Sequence, residues 1–350
     1  CYKKLNMSKK NSNVILKENF KNYKELSHIY SIFKDRLNSC KNKNFLIAVS
    51  GGPDSLALTA LAKSYSYKYK CKIYYVLVDH NLRRNSFNEA TSVKKLLKKH
   101  QITLNILKNK KDIKKNVQSE ARVIRYNLLS NFWKKKKIKT IVTGHNLEDQ
   151  VETFFIRLSR GSGLHGLSAM NQINKIDGNI YLLRPLLDIK KKKLINMSKV
   201  IFGKFYKDPS NENTKYLRTR IRNLKKSLEA SGINYDRIFQ SIKNLASSRD
   251  TLDLYFNKIY NHIVDIKKNK IFLNIKRLNN LNEEMKMRVF KKSIVDLTNA
   301  YYSPRTKKIF NLINLIKVKK NVKFTLGGCI ILKEKTHLCL KKETKNYFFS

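Results

Sequence analysis

The stretch FLIAVSGGPDSLAL, residues 45–58, constrains the fold more than any other part of the chain. Its apolar start, FLIAV, reads as a buried strand, and DSLALTALAKSY reads as the helix that follows. Between them lie two glycines. A strand, a short glycine turn and a helix N-terminus gather outward-pointing backbone N–H groups and the positive end of a helix dipole, which makes an anion site. Gly51 and Gly52 let the backbone approach the anion, Pro53 opens the helix, and Ser50 and Ser55 add hydroxyl donors. Asp54 would repel a phosphate unless a Mg²⁺ lies between carboxylate and phosphates. No lysine closes the loop as in G-x-x-x-x-G-K-[ST], and the pattern is not G-x-G-x-x-G, which disfavours a dinucleotide. A plain strand-to-helix turn has no need of Ser-Gly-Gly-Pro-Asp-Ser.

Further strands are predicted at 72–78 (KIYYVLV), 102–107 (ITLNIL) and 138–144 (IKTIVTG). Helical stretches separate them at 86–100, opened by Ser86 and Glu89 in capping-box spacing, at 117–133 and at 147–160. This alternation predicts parallel βαβ units and hence a doubly wound α/β sheet. Residues 1–40 read as a basic extension with a helix near KELSHIYSIFKDRL, residues 41–230 as the α/β domain, and residues 235–350 as a smaller, mostly helical domain. That domain ends in a short β-like segment, VKFTLGGCIILKEKTHLCLKK. The lysine runs Lys134–Lys137 and Lys190–Lys193 sit at element edges and read as solvated faces.

Seventy-five Lys and Arg oppose 25 Asp and Glu, a net charge of +50, which favours a polyanionic partner, although an AT-rich coding sequence produces the same lysine bias. The five cysteines, Cys1, Cys40, Cys71, Cys329 and Cys339, form no C-x-x-C pair, which excludes a sequence-evident zinc or iron–sulfur clamp and fits a reducing cytosol. No apolar run approaches a membrane span and no secretory segment is evident, so a cytoplasmic protein without a membrane partner is expected. The chain opens on Cys1, which places the initiator at Met7 or upstream.

The six-residue loop, set after a strand, resembles the PP-loop of the ATP pyrophosphatases, the adenine-nucleotide alpha-hydrolase-like enzymes that cleave ATP between its α- and β-phosphates. Other blocks narrow the likeness. VDHNLRRNSFNEA (78–90), GHNLEDQVETFFIRLSRGSGLHGLSAM (144–170), LLRPLL (182–187), YKDPSNENTKYLRTRIRN (206–223) and FTLGGCIILKE (324–334) resemble, in order, segments of the tRNA(Ile)-lysidine synthases. Asn81 stands where that family has glycine, Asn146 where it has a second histidine, and Glu148 where it has the first aspartate of D-D-Q. The chain is shorter than many members, which implies a reduced C-terminal tRNA-binding region.

The resemblance implies a ligase forming a carbon–nitrogen bond. It adenylates O2 of a wobble cytidine in an isoleucine tRNA of anticodon CAU, then lets free L-lysine displace AMP from C2. ATP and Mg²⁺ are the implied cofactors, tRNA and free lysine the partners, and a homodimer is compatible with it. Ser50, Gly51, Gly52, Pro53, Asp54, Ser55, Asp79 and His80 are the expected ATP contacts, with Asp54 on the metal. Asp149 and Glu152, at i and i+3 on one helix face, are assigned to lysine, and with Asp54 and Arg122 form the expected catalytic set. Arg125, Arg160, Arg218 and Arg222 are expected on tRNA or phosphate, and the turn Arg160–Gly163 on the cytidine side. His145 and His165 read as site or orienting residues; His100, His262 and His337 read as isolated. Most tyrosines and phenylalanines are expected in the core, with a few available to stack on anticodon bases. Three rivals remain: a tRNA thiolase using the same adenylation, a non-catalytic basic RNA-binding protein, and a small-molecule amidotransferase synthetase.

Overall fold

The computed structural model describes residues 22–40, 42–81, 86–109, 117–177, 179–206, 213–300, 303–318 and 323–343. The chain divides into two compact units, 1–246 and 247–350.

The first unit is built on a six-stranded sheet of order β3-β2-β1-β4-β6-β5. Its strands are β1 (Asn44–Ala48), β2 (Lys72–Asp79), β3 (Leu104–Lys108), β4 (Thr140–Val142), β5 (Ile173–Asp177) and β6 (Ile180–Leu183). All pairings are parallel except that of β5 with β6. The expected doubly wound sheet is present, with an antiparallel edge hairpin that the sequence reading lacks. The strand sequence INKID puts one isoleucine on each face among polar residues, which suits an edge and gives no alternating hydrophobic pattern.

Phe45, Leu46 and Ile47 are all fully buried because both faces of β1 are covered. Phe45 and Ile47 join a core containing helices α1 (Lys24–Asn38), α2 (Pro53–Lys68), α3 (Ser86–Lys99) and α7 (Lys191–Phe202). Leu46 faces the other way, toward Leu129 and Trp133 of α4 (Val117–Lys135). The sequence reading sets 1–40 apart as an extension. Helix α1 instead buries Leu26, Ile29, Phe33 and Leu37 in this core, each burial contributing roughly 1.5–3 kcal/mol. Arg36 adds a bidentate pair with Asp188, both bonds 2.6 Å long.

Among the described residues the unit also holds α5 (Leu147–Leu158), the one-turn α6 (Leu164–Leu167), α8 (Leu217–Asn223) and α9 (Lys225–Ala230). The long α10 (Tyr235–Ile263) follows, and the division between units falls inside it. Its first turns belong to the first unit: Tyr235, Ile238 and Ile242 pack with Leu147 and Val151 of α5. The expected boundary at 230–235 would have cut these contacts.

The second unit holds a five-stranded antiparallel sheet of order β7-β8-β11-β10-β9. The expected β-like end supplies β9 (Lys323–Leu326), β10 (Cys329–Lys333) and β11 (His337–Lys342). The sequence reading lacks the hairpin of β7 (Val264–Lys267) and β8 (Lys270–Asn274), which is lysine-rich and turns at Lys268 with φ +48°. Helices α11 (Ile275–Asn279), α12 (Glu283–Thr298) and α13 (Thr306–Val318) contribute to one core with the sheet, through Leu278, Val289, Phe290, Ile309 and Leu312. No helix among the described residues is long and apolar enough to cross a membrane.

Candidate active site

Strand order reverses in sequence between β1 and β4, and the loops leaving their carboxyl ends diverge there. Open α/β sheets bind ligands at such a switch point. A cavity of about 690 Å³ occupies it. Its charged lining, among the described residues, is balanced: Asp54, Asp79, Glu89 and Asp149 against Arg125, Lys191, Arg218 and Arg222.

The glycine loop has the geometry its residues imply. Gly51 has φ +84°, and a Cβ there would lie 2.6 Å from Val93 Cγ2, so no other residue fits without displacement. Its carbonyl accepts the N–H of Tyr206 at 3.0 Å. Ser50 donates to Ser55 Oγ through both its N–H and its hydroxyl, each at 3.1 Å, and Ser55 donates to the Gly52 carbonyl. Gly52 caps α2, and Pro53 occupies its first turn.

Asp54, also in that turn, is the unsatisfied member. Its Oδ1 is buried and has no hydrogen-bond partner. Burial pushes its carboxyl up to about 6; Lys191 opposes that shift and Asp149 adds to it. Asp79 is similar: Oδ1 accepts the N–H of Asn81 at 3.0 Å, while the buried Oδ2 has no partner. A buried carboxylate oxygen without a partner at the glycine loop, on Asp54, fits a divalent cation that takes its other ligands from phosphates and water. No cluster of three or more His, Cys, Asp or Glu among the described residues encloses a metal by itself. The nucleotide and water would therefore complete the shell.

The departures from the family pattern have local explanations. Asn81 has φ +55°, a left-handed backbone that glycine adopts freely and asparagine tolerates. Asn146 is the N-cap of α5 in a reciprocal capping box. Its side chain accepts the N–H of Asp149 at 3.0 Å, and Asp149 Oδ2 accepts the N–H of Asn146 at 3.1 Å. Position 146 thus aims Asp149, which lines the cavity. Glu148 reaches away to accept the N–H of Lys191 at 2.8 Å. Gly144 was not singled out by the sequence reading. A Cβ there would stand 2.9 Å from the backbone oxygen of Asp54, so its absence lets the β4 loop close on the glycine loop.

Glu152, expected on lysine's ammonium, does not line the cavity. It is 2% exposed, and both its oxygens are taken by Arg222, at 2.7 and 3.1 Å, with Arg218 at 3.3 Å. Burial pushes its carboxyl up, and the Arg222 pairing pulls it back. Arg218 also donates to Thr153 at 3.1 Å. Glu152 therefore holds two arginines at the cavity wall.

The remaining expectations divide. Arg125 lines the cavity and donates to His80 Nε2 at 3.2 Å. The side chain of Arg122 lies outside the described residues, as do residues 207–212 of the block 206–223. Arg160 is exposed, and the turn Arg160–Gly163 does not line the cavity. Arg157 ties that loop back, donating to the carbonyls of Gly166 and Ala169 at 2.9 and 2.6 Å. His145 bonds Thr143 Oγ1 at 2.9 Å, and burial lowers it to about 4, so it is neutral near pH 7; it too lies off the cavity lining. Ser86 is the first residue of α3 rather than its cap, and with Glu89 it lines the cavity. Lys191, read as part of a solvated run, also lines it.

Glycine loop, switch-point cavity and sheet order define the class as PP-loop nucleotide-binding proteins, and the PP-loop domain profile matches residues 24–228. A U34-tRNA thiolase from Methanococcus maripaludis shares the fold, with TM-score 0.53 at 18% identity over 63% of this chain and 79% of that one. A tRNA(Ile)-lysidine synthase from Wolbachia pipientis wMel is 33% identical over 322 residues, covering 89% of this chain and 74% of that one. Another, from Orientia tsutsugamushi (strain Boryong), is 38% identical over 227 residues, covering 64% and 51%. The chain belongs to the tRNA(Ile)-lysidine synthase family.

Proposed function

We propose that this chain converts the wobble cytidine of a CAU-anticodon isoleucine tRNA to lysidine. The observation that carries the reading is one cavity in which the glycine loop and Asp54, its buried Oδ1 without a partner, meet Asp149 and the Glu152-held arginines. The C2 oxygen of cytosine is a poor leaving group, and transfer of AMP onto it makes a good one. Backbone N–H groups at Gly51 and Gly52 and the serine hydroxyls cradle the phosphates as negative charge grows on the leaving pyrophosphate. Asp54, whose buried Oδ1 has no partner, would hold Mg²⁺, which when bound neutralises phosphate charge. Asp149 receives the ammonium of free lysine and orients its amine toward C2, and attack there expels AMP. Arg218 and Arg222 present fork-shaped cations suited to phosphate or to lysine's own carboxylate.

The thiolase alternative is disfavoured by the cysteines. Among the described residues none lines the cavity, and burial pushes Cys40 and Cys71 above the ordinary thiol range, away from the thiolate that sulfur transfer requires. The second unit is proposed to read tRNA features outside the anticodon, because elongator methionine tRNA carries the same CAU. Such a reaction places the protein in the cytoplasm, with free tRNA, ATP and lysine.

The deciding assay incubates the protein with ATP, Mg²⁺, the unmodified tRNA and either labelled lysine or a labelled sulfur donor. RNA-bound lysine, with one AMP and one pyrophosphate per lysine, is expected. RNA-bound sulfur, or no label in RNA, would overturn the reading.

A further inference from the structure

Four consecutive lysines, Lys190–Lys193, lead into α7, and the structure separates one from the rest. Lys190 pairs with Asp236 at 2.6 Å and Lys193 with Glu25 at 3.1 Å, both partly exposed. Lys192 is exposed. Lys191 alone of the four lines the cavity, beside Asp54 and Asp149, and among the described residues its ammonium is in no ion pair.

Its position is anchored from both sides. Glu148 accepts the Lys191 N–H, and Ser198, further along the same helix, donates to the Pro53 carbonyl. Leu194, Met197 and Ile201 share a core with α2. The start of α7 is thereby fixed against the turn that holds the glycine loop. The Lys191 charge is felt at Asp54, where it works against burial.

We propose that Lys191 neutralises the β- and γ-phosphates of bound ATP and the pyrophosphate that leaves. The proposal rests on the ATP-cleaving reading above and adds the residue it lacks. Loops of the G-x-x-x-x-G-K-[ST] kind carry a lysine that reaches these phosphates; this loop has none, and α7 supplies the charge from outside it. In the step concerned, cytosine O2 bonds to the α-phosphorus. The bond from that phosphorus to the oxygen bridging to the β-phosphate breaks, and that oxygen departs with the electron pair. A compact, mobile ammonium suits a leaving group whose charge rises and which must then dissociate.

The test is calorimetric binding of ATP, AMP and pyrophosphate, with Mg²⁺, to the full chain and to Lys191→Met, Lys191→Arg and Lys190→Met. Lys191→Met should weaken ATP and pyrophosphate about tenfold or more, as expected for one charge-assisted contact. AMP should be unchanged, Lys191→Arg should restore most of the affinity, and Lys190→Met should match the parent protein. Equal losses for all three ligands, or no loss, would overturn the assignment. Should Lys191→Met fail to fold by circular dichroism, amine acylation of the parent protein read by mass spectrometry replaces it. ATP and pyrophosphate should then protect Lys191 relative to Lys192 while AMP does not, and absence of that protection overturns the assignment. Parent protein that releases pyrophosphate with tRNA while the variants bind normally sinks the Lys191 role alone. Parent protein that releases none sinks the reading beneath it as well.

Discussion

The two units differ in what their charged groups meet. In the second, Arg288 is 8% exposed and closes on Asp253 at 2.7 Å and on Glu284 at 2.8 Å, leaving only Nη2 without a partner. Lys286 and Lys317 share Glu283 through its Oε1, while Oε2 is buried without a partner. In the first, Asp54 Oδ1 and Asp79 Oδ2 are buried without partners, and Lys191 lines the cavity in no ion pair among the described residues. A buried polar group without a partner costs roughly 1–3 kcal/mol. A fold that leaves two such oxygens beside one cavity is less stable there than it need be, and a ligand recovers the difference. In the second unit most of this charge is matched within the fold, and in the first the unpartnered carboxylate oxygens belong to residues lining the cavity.

The largest expected effect removes the unmatched group. Asp54→Ala should lower tRNA-dependent pyrophosphate release by about 10³-fold, the scale of losing a main electrostatic element of a site, while tRNA retention on filters stays near that of the parent. Normal turnover would mean the unmatched carboxylate is not part of the site, and the contrast would fail.

Removing matched charge should strike stability instead. Arg288→Met leaves two carboxylates facing an apolar side chain. It should cost about 2 kcal/mol in urea denaturation, below the 3–5 kcal/mol of fully buried pairs because Asp253 and Glu284 are partly exposed. ATP affinity should not change.

Glu152 sits between the two cases, being matched within the site. Glu152→Gln weakens the hold on Arg218 and Arg222. The lysine requirement should rise about tenfold, on the scale of one charge-assisted contact, and the ATP requirement by much less. The reverse ranking in steady-state kinetics would place the two arginines on the nucleotide instead.

The smallest effect sharpens the comparison most directly. Burial raises the Asp54 carboxyl to about 6 from an ordinary 3.8, so the folded protein holds a proton that the unfolded chain releases earlier. Its contribution to stability is therefore greatest below about pH 4 and declines as pH rises through 6. Without nucleotide or metal, Asp54→Asn should be more stable than the parent at pH 8 by about 1–3 kcal/mol, and the gap should close by pH 4. A gap independent of pH would show that Asp54 is not the group being relieved.

Much of this was legible in the residues. FLIAV followed by Ser-Gly-Gly-Pro-Asp-Ser determined a strand, an anion-binding turn and a helix, because glycine's backbone freedom and the helix dipole are local properties. The order of strands and helices likewise determined the parallel sheet, and spacing placed Asp149 and Glu152 on one helix face. Tertiary structure alone decided what each charge meets. Glu152 has the same spacing from Asp149 whether it faces a ligand or two arginines, and only the packing of α8 against α5 chose the arginines. Lys191 cannot be told from Lys190 or Lys192 in sequence. Its entry into the cavity depends on where α7 lies against α2, set by contacts such as Ser198 with Pro53, 145 positions apart. The hairpins at β5–β6 and β7–β8 were hidden for the same reason. Their strands are stabilised by partners distant in sequence, not by an alternating pattern of their own.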